Sequence, residues 1–397
     1  MNAEGRRLNL LIAGQGLDFS PEFSDGFVTR HQRLTRMLAA SHDVGIVVTR
    51  VPSDASPLMA DLQHLVMGEF TAPYSPRSRA ERGKRIASYL AGSAQESYDA
   101  RLKEVVKGPV DAVITWGPWL DVQYVPLRRV PSIHFFEEDV WRMPDLASQT
   151  AQARAFKALE HIAQLRLPQP TKVVVIAPPE RAAARFRYPR SKVETLPFTL
   201  DSSVWPVASE ISNGDSILVM GVLVQGRNAE GLSDIFAELD RRPAHGLDFT
   251  LVSDTGLAPE LRQFLTRPWI RLVPSETDVT RHYRRSRMAL VPARRATGIK
   301  TTILQAWSQG TPVVAFHESA MTVPSDCRSA VASETTPAAM ADLLIKLWAN
   351  RGERTRLGNA GLRAHVEHFD ESLQLSRLET WLYEIADAAS PHTRSKR

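Results

Sequence analysis

Cysteine is almost absent from this sequence: Cys327 is the single one among 397 residues. One cysteine cannot form an internal disulfide, which excludes the disulfide-rich secreted class and fits a reducing compartment. The 11 histidines are scattered along the chain, and because no metal-ligand spacing stands out, no metal site is predicted. No apolar run approaches the roughly 20 residues that a membrane span needs. The first residues, Met1 to Arg7, lead into a strand-like segment instead of a signal sequence, so a cytoplasmic location is expected.

Net charge is also small, with a formal value of +5. The two arginine clusters, at residues 77–85 and 281–287, have a composition more typical of solvated faces than of binding patches. No aromatic interleaving and no known nucleic-acid module accompany them, so a nucleic-acid partner is not expected. An anionic small-molecule substrate is favoured, and a peripheral contact with an anionic membrane surface stays open.

The length of 397 residues exceeds what one hydrophobic core usually serves, and two successive α/β alternations indicate two domains. The first domain is predicted at residues 1–200 and the second at residues 216–370. Residues 201–215, rich in Ser, Pro, Asp and Asn, are predicted as the linker between them. A helix at 371–389 is expected to pack back toward the first domain, and residues 390–397 to form a disordered tail.

The first domain contains two features that could face a ligand. A predicted strand at residues 8–13 is followed by Gly14 and Gly16, which lack the third glycine of a dinucleotide fingerprint. They could equally allow close approach of the backbone to a substrate or form a tight turn. His134 is expected near the C-terminal end of a strand at 131–136, the edge where α/β folds bind ligands. From position alone, the favoured interpretation is a histidine that lies in the core and makes its hydrogen bonds there.

The most informative stretch runs from Met288 to Phe316. Residues 288–291 form a short apolar run that predicts a buried parallel strand. Residues 299–309 predict a helix with Ile299, Ile303, Ala306 and Trp307 on one face. Gly310 is expected to end that helix, so that the next strand begins at Val313.

The loop between that strand and helix opens onto a helix N-terminus. Backbone N–H groups at such a terminus, together with Arg294, Arg295 and Lys300, suit a phosphate group. A well-built strand–helix–strand unit without any ligand is an equally open interpretation at this point.

The same residues carry a recognisable motif. Thr297-Gly-Ile-Lys300, followed by Leu304-Gln-Ala306 and Gly310-Thr-Pro-Val-Val314, is similar to a signature of Gly-Ile-Lys, a Leu-Glu-Ala helix and Gly-x-Pro-Val-Val. The chain thereby resembles the GT-B glycosyltransferases of family 4 (glycosyl transferases group 1), in the Gly-Ile-Lys variant of the donor loop. The resemblance covers residues 216–370 throughout and the first half more loosely. It implies an α/β fold of two Rossmann-like doubly wound domains facing across a cleft.

The resemblance also implies an activity and a set of site residues. The reaction would transfer a sugar from a nucleoside diphosphate donor to an acceptor hydroxyl with retention, without a metal or other cofactor. Arg227 and Lys300 would neutralise the charge on the leaving diphosphate, and His134 would lie against the donor sugar. The further donor-binding residues that it implies are Gly14, Gly16, Thr297, Gly298, Ile299, Thr301 and Gln305.

Two positions depart from the family pattern. The family usually has two glutamates eight positions apart, and this sequence has Thr297 and Gln305 there. An amide can still hydrogen-bond a ribose diol but loses the charge-assisted bond, a difference of roughly 1 kcal/mol. The departures leave alternatives open: altered donor binding, a catalytically silent GT-B homologue acting as a partner subunit, or a GT-B sugar-nucleotide epimerase or non-glycosidic coupling enzyme.

Overall fold

A computed structural model divides the chain into two compact units. The first comprises Met1–Ile176, Glu180–Leu196 and Leu375–Arg397, and the second comprises Ala177–Pro179 and Pro197–Gln374. The structure describes residues 6–15, 26–50, 65–71, 108–116, 130–136, 162, 169–200, 202, 205–221, 223, 227–242, 245–253, 256–273, 279–294 and 298–389.

The first unit is built on a sheet of seven parallel strands. These are β1 (Asn9–Gln15), β2 (Asp43–Arg50), β3 (Val66–Thr71), β4 (Ala112–Trp116), β5 (Ser132–Phe136), β6 (Lys172–Val175) and β7 (Lys192–Thr195). The spatial order is β3-β2-β1-β4-β5-β6-β7, which is the Rossmann order with one further strand at the edge. Helices α1 (Gly26–Ser41) and α2 (Glu180–Arg187) belong to the same unit.

Apolar runs explain most of this sheet, since a strand covered on both faces is hydrophobic at nearly every position. Leu10, Ile12, Ile114, Phe135 and Val174 are fully or almost fully buried in one cluster. The sequence pattern does not predict β3, because prolines interrupt the front half of residues 51–107 and hide the short strand within it.

The second unit contains a sheet of six parallel strands. These are β8 (Ser216–Met220), β9 (Phe249–Val252), β10 (Ile270–Val273), β11 (Ser286–Val291), β12 (Val313–Phe316) and β13 (Val331–Glu334). Their order, β10-β9-β8-β11-β12-β13, is again the Rossmann order. The helices are α3 (Arg227–Asp240), α4 (Pro259–Arg262), α5 (Val279–Arg284), α6 (Thr301–Ser308), α7 (His317–Ala320), α8 (Pro337–Ala349) and α9 (Arg351–His368), with 3-10 helices at Gln263–Thr266 and Ser325–Ala330.

The stretch from β11 to β12 has the predicted order of strand, loop, helix and strand. Ile303, Ala306 and Trp307 of α6 are completely buried, as their helical spacing predicts. Gly310 has a φ of 64°, a left-handed conformation that ends the helix without the steric cost of a side chain. A side chain at Gly310 would also collide with the backbone of Glu210.

Within residues 205–215, which overlap the predicted linker, the backbone is bound to the second unit. The amide nitrogen of Ala208 donates to the Ser308 carbonyl at 2.8 Å, and that of Ser212 donates to the Gly310 carbonyl at 3.2 Å. The side chain of Gln309 donates to the Pro206 carbonyl at 2.9 Å. This segment therefore lies against the C-terminal end of α6.

The last helix, α10 (Glu371–Ala389), packs on the first unit over most of its length. Leu378, Leu382 and Ile385 are buried in the same cluster as the strands of that sheet. The Lys172 ammonium of β6 and the Glu384 carboxylate of α10 form an ion pair of 2.6 Å. None of the helices in the described part of the chain is long and apolar enough to cross a membrane.

Candidate functional site

The second sheet reverses its strand order between β8 and β11, which are hydrogen-bonded neighbours. In an open parallel sheet, the loops after two such strands diverge and leave a crevice at the carboxyl edge, where ligands bind. Gly221 follows the first of these strands, and residues 292–294 follow the second. The topology therefore places them together at the binding edge of this sheet.

Close packing brings α3 against the start of the loop after β11. A side chain at Gly231 would overlap the carbonyl oxygen of Pro292, so the helix reaches this position only because Gly231 has none. The Arg294 guanidinium and the Asp234 carboxylate of α3 form an ion pair of 2.7 Å. Arg294, which the sequence pattern places beside a phosphate, is thus engaged by an acid of α3, and Arg295 lies outside the described residues.

The N-terminus of α3 also points to this edge of the sheet. β8 ends at Met220 and is followed by Gly221, whose φ is 126°, and α3 begins at Arg227. The backbone places Arg227 in the first turn of a helix of 14 residues, where unsatisfied N–H groups concentrate and an anion is favoured. The side chain of Arg227 lies outside the described residues, so its contact with a phosphate stays a prediction.

Lys300 occupies the N-cap position of α6. Its backbone is extended, with φ of −79° and ψ of 112°, and none of the side chains that the structure describes caps this helix start. Gly298, two residues earlier, is buried and has a φ of 64°, which turns the chain into the helix. The half-buried Lys300 side chain and the N–H groups of Thr301 and the residue after it therefore lie at one helix start, an arrangement that favours an anion.

Gln305 lies one turn into α6 and is held by Tyr283 of α5, for which no motif predicts a role. The hydroxyl of Tyr283 donates to the Gln305 carbonyl oxygen, with 3.0 Å between the two oxygens. Burial raises the pKa of the Tyr283 phenol, so the hydroxyl keeps its proton. This bond takes one lone pair of the amide oxygen, so the second lone pair and the amide N–H groups are the remaining polar groups of the Gln305 side chain.

His134 lies in the middle of β5 in the first unit and has only 3% of its surface exposed. Its Nδ1 lies 2.9 Å from the Thr115 hydroxyl, and its ring centroid lies 5.4 Å from that of Tyr188. Burial, reinforced by the charge of Arg187, lowers the pKa of His134 to about 3. The imidazole is therefore neutral at physiological pH and has a partner within the core.

The predicted glycine turn of the first unit is described only in part. Gly14 lies in β1, opposite Val48 of β2 and Trp116 of β4. The first sheet reverses its order between β1 and β4, so Gly14 is at the corresponding switch point. Gly16 and Thr297 lie outside the described residues.

Comparison with known proteins gives one match at the level of families. Residues 214–350 match the family model described as glycosyl transferases group 1. The match covers less than half of the chain and contains Arg227, Gly298, Lys300, Thr301 and Gln305. A search of curated proteins finds no match.

Solved structures match over nearly the whole chain. Sucrose-phosphate synthase from Thermosynechococcus elongatus superposes with a TM-score of 0.65 at 15% identity, covering 97% of this chain and 100% of that one. The Anabaena protein HepE in complex with UDP gives a TM-score of 0.64 at 12% identity, with coverages of 95% and 100%. A glycosyltransferase from Rickettsia africae gives 0.63 at 12% identity, with coverages of 96% and 99%. The fold is therefore that of the GT-B glycosyltransferases, as the resemblance predicts.

Proposed function

We propose that this chain is a glycosyltransferase that moves a sugar from a nucleoside diphosphate donor to an acceptor hydroxyl. The observation that carries the proposal is the start of α6. Lys300 and the first N–H groups of that helix lie at the switch point of a Rossmann-ordered sheet. This position falls inside the segment that matches glycosyl transferases group 1.

The chemistry needed at this place is stabilisation of a leaving diphosphate. As the bond between the sugar and the diphosphate breaks, negative charge grows on the phosphate oxygens. A lysine cation and oriented N–H dipoles stabilise that charge without reorganising during the reaction. The sequence resemblance further supports retention, independence of metal ions and a phosphate contact by Arg227.

Gln305 and Tyr283 would complete the donor site on the nucleoside side. In the family pattern a glutamate at this position accepts hydrogen bonds from the ribose hydroxyls. Here the Tyr283 hydroxyl donates to the amide oxygen, and the amide N–H groups would donate to ribose oxygens while the oxygen keeps one free lone pair. An amide at this position would still recognise a diol, but through neutral hydrogen bonds that are weaker than those of a carboxylate.

The proposal also names a class of donor and a class of acceptor. The structure of HepE is a complex with UDP, so UDP-sugars are the first donors to test for this chain. The proposed acceptor carries a hydroxyl and would be recognised by the first unit, with peripheral membrane contact as one route to a lipid-linked acceptor. Reaction in the cytoplasm is part of the same proposal.

A catalytically silent GT-B homologue, acting as a partner subunit, is the second candidate. The observation that favours it is the absence of both usual acids, since Thr297 and Gln305 occupy their positions. A homologue without activity has no need to keep Lys300 at the α6 start, which favours the enzyme.

A ligand-binding screen of the full chain tests the proposal. Thermal unfolding is measured with UDP, GDP and TDP and with their sugar conjugates at millimolar concentration. We expect one nucleotide family to raise Tm, because a ligand that binds only the folded state stabilises it. Release of free diphosphate with a hydroxyl acceptor then establishes transfer. If no nucleotide in the panel shifts Tm, the proposal fails in favour of the partner subunit.

A further inference from the structure

Three potential metal ligands meet in the second unit, on elements other than α6. Asp326 and Cys327 are adjacent in the 3-10 helix Ser325–Ala330, and His368 is the last residue of α9. One ligand atom from each of the three side chains lies within 4.8 Å of the other two. The sequence spacing hides this group, because its members come from two elements far apart in the chain.

The distances within the group are close to those between the ligands of a tetrahedral ion. His368 Nε2 lies 3.4 Å from Asp326 Oδ2, and Cys327 Sγ lies 3.7 Å from Asp326 Oδ1. An ion with the usual zinc bond lengths to nitrogen, oxygen and sulfur sets its ligand atoms about 3.4 to 3.7 Å apart. The two distances involve different oxygens of Asp326, and the ligand atoms of the group lie within 4.8 Å of one another, so side-chain rotation has to bring all three to one ion.

The three ligand types also select a class of metal. Thiolate and imidazole are preferred by zinc and other borderline-soft ions, whereas calcium and magnesium take oxygen ligands. Three protein ligands leave a fourth position for water. Cys327 is buried, His368 is half-buried and Asp326 is exposed, so a cation can enter from the carboxylate side.

The residues around these three ligands favour the binding of a cation. His368 ends an 18-residue helix, where the carbonyl end of the helix dipole attracts cations. The exposed Glu367 acts electrostatically on Cys327 and adds negative charge beside the group.

We propose that Asp326, Cys327 and His368 bind one zinc-class divalent ion that fixes the segment before β13 to the end of α9. None of its three ligands belongs to the start of α6. Phe369, next to His368, packs against Trp307 with 5.8 Å between ring centroids. Trp307 is seven residues beyond Lys300 along α6, about 10 Å of helix.

Cobalt titration of the full chain, after treatment with a chelator, tests this site. Co²⁺ reports a thiolate ligand through a charge-transfer band in the near ultraviolet, which oxygen and nitrogen ligands do not produce. We expect one Co²⁺ per chain with this band, and displacement by Zn²⁺. Cys327→Ser should abolish the band, and His368→Ala should weaken Co²⁺ binding at least tenfold.

Two controls separate the site from surface binding and from loss of folding. His317→Ala removes an exposed histidine of the same unit and should leave the titration unchanged. Far-ultraviolet circular dichroism shows whether each variant is folded, and His368→Gln replaces the alanine variant if that one is not. Zinc should also raise the Tm of the wild type more than that of the His368 variant.

Other outcomes would overturn the proposal. Binding of Co²⁺ without a thiolate band, or equal affinity in the wild type and the His368 variant, means that the ion binds elsewhere. No binding at micromolar Co²⁺ means that the group is an Asp–His ion pair beside a thiol that donates to the carboxylate. Each result is independent of whether the chain transfers a sugar.

Discussion

The two sheets share one strand order but use their polar residues differently. In the second unit, Lys300 stands at a helix start, at the carboxyl edge of the sheet and only half-buried. In the first unit, His134 lies inside β5, two residues before the strand ends, and is almost fully buried. The same Rossmann order therefore gives one unit a cation at the ligand edge and the other a neutral histidine in the core.

This contrast shows that position along a strand decides what a polar residue can do. A charged group at the end of a strand or the start of a helix keeps its hydration and can meet an anion. A titratable group within a strand is desolvated and becomes neutral. Four predictions test this contrast, beginning with the packing that forms the edge site of the second unit.

Replacement of Gly231 by alanine should have the largest effect. The added methyl group would overlap the Pro292 carbonyl oxygen, so α3 and the loop after β11 must separate, at a cost of about 3 kcal/mol. Denaturant unfolding of the full chain measures the loss. Gly352→Ala is the matched control, because the nearest atom to its new carbon is Asn350 Oδ1 at 3.5 Å. Equal stability of the two variants would show that α3 is not packed closely against this loop.

Replacement of Lys300 by alanine should reduce donor binding or kcat/KM by about 2 kcal/mol, roughly 30-fold, because a charge-assisted contact to phosphate is lost. Lys346→Ala, which removes an exposed lysine of α8, is the control for net charge. Unchanged kinetics in an active Lys300 variant would remove this residue from the site.

The buried histidine should make stability depend on pH. The pKa of His134 is about 3 in the folded chain, against 6.5 as the ordinary value. Below pH 6.5 the unfolded chain binds a proton that the folded chain does not, so stability falls as pH falls. His134 contributes up to about 1.4 kcal/mol per pH unit to this slope, and the buried His365, whose pKa burial lowers to about 4, adds to it.

Urea unfolding at pH 7 and pH 5 measures this slope. His134→Gln should lose less stability over that interval than the wild type, whereas His317→Ala, at an exposed position, should lose as much as the wild type. If His134→Gln loses as much stability between pH 7 and pH 5 as the wild type does, then His134 titrates normally and is open to solvent.

Replacement of Gln305 by glutamate should have the smallest effect. A carboxylate would accept hydrogen bonds from ribose hydroxyls while keeping the Tyr283 contact, and should strengthen nucleotide binding by about 1 kcal/mol. Calorimetry with the nucleotide found in the screen measures the change. Gln263→Glu, at an exposed position of the same unit, controls for the added charge. Weaker binding in Gln305→Glu would place the ribose elsewhere.

Much of the fold could be predicted from local sequence patterns. β12 begins where the pattern predicts, and α6 lies within the predicted helix. The strand β3 was not predictable, because its apolar signal is short and lies among prolines. The position of Lys300 at the start of α6 was predictable from its motif, whereas the contact between Tyr283 and Gln305 was not.

The sequence by itself determined the alternation of strands and helices, the two Rossmann orders that this alternation favours, and the position of Lys300 at a helix start. These depend on residues within a few turns of one another. Only the tertiary structure decided that Gly231 meets Pro292, that Tyr283 holds Gln305 and that His368 joins Asp326 and Cys327. Such contacts arise when separate strand–helix units stack, and periodicity within a single element carries no information about which side chains then face each other.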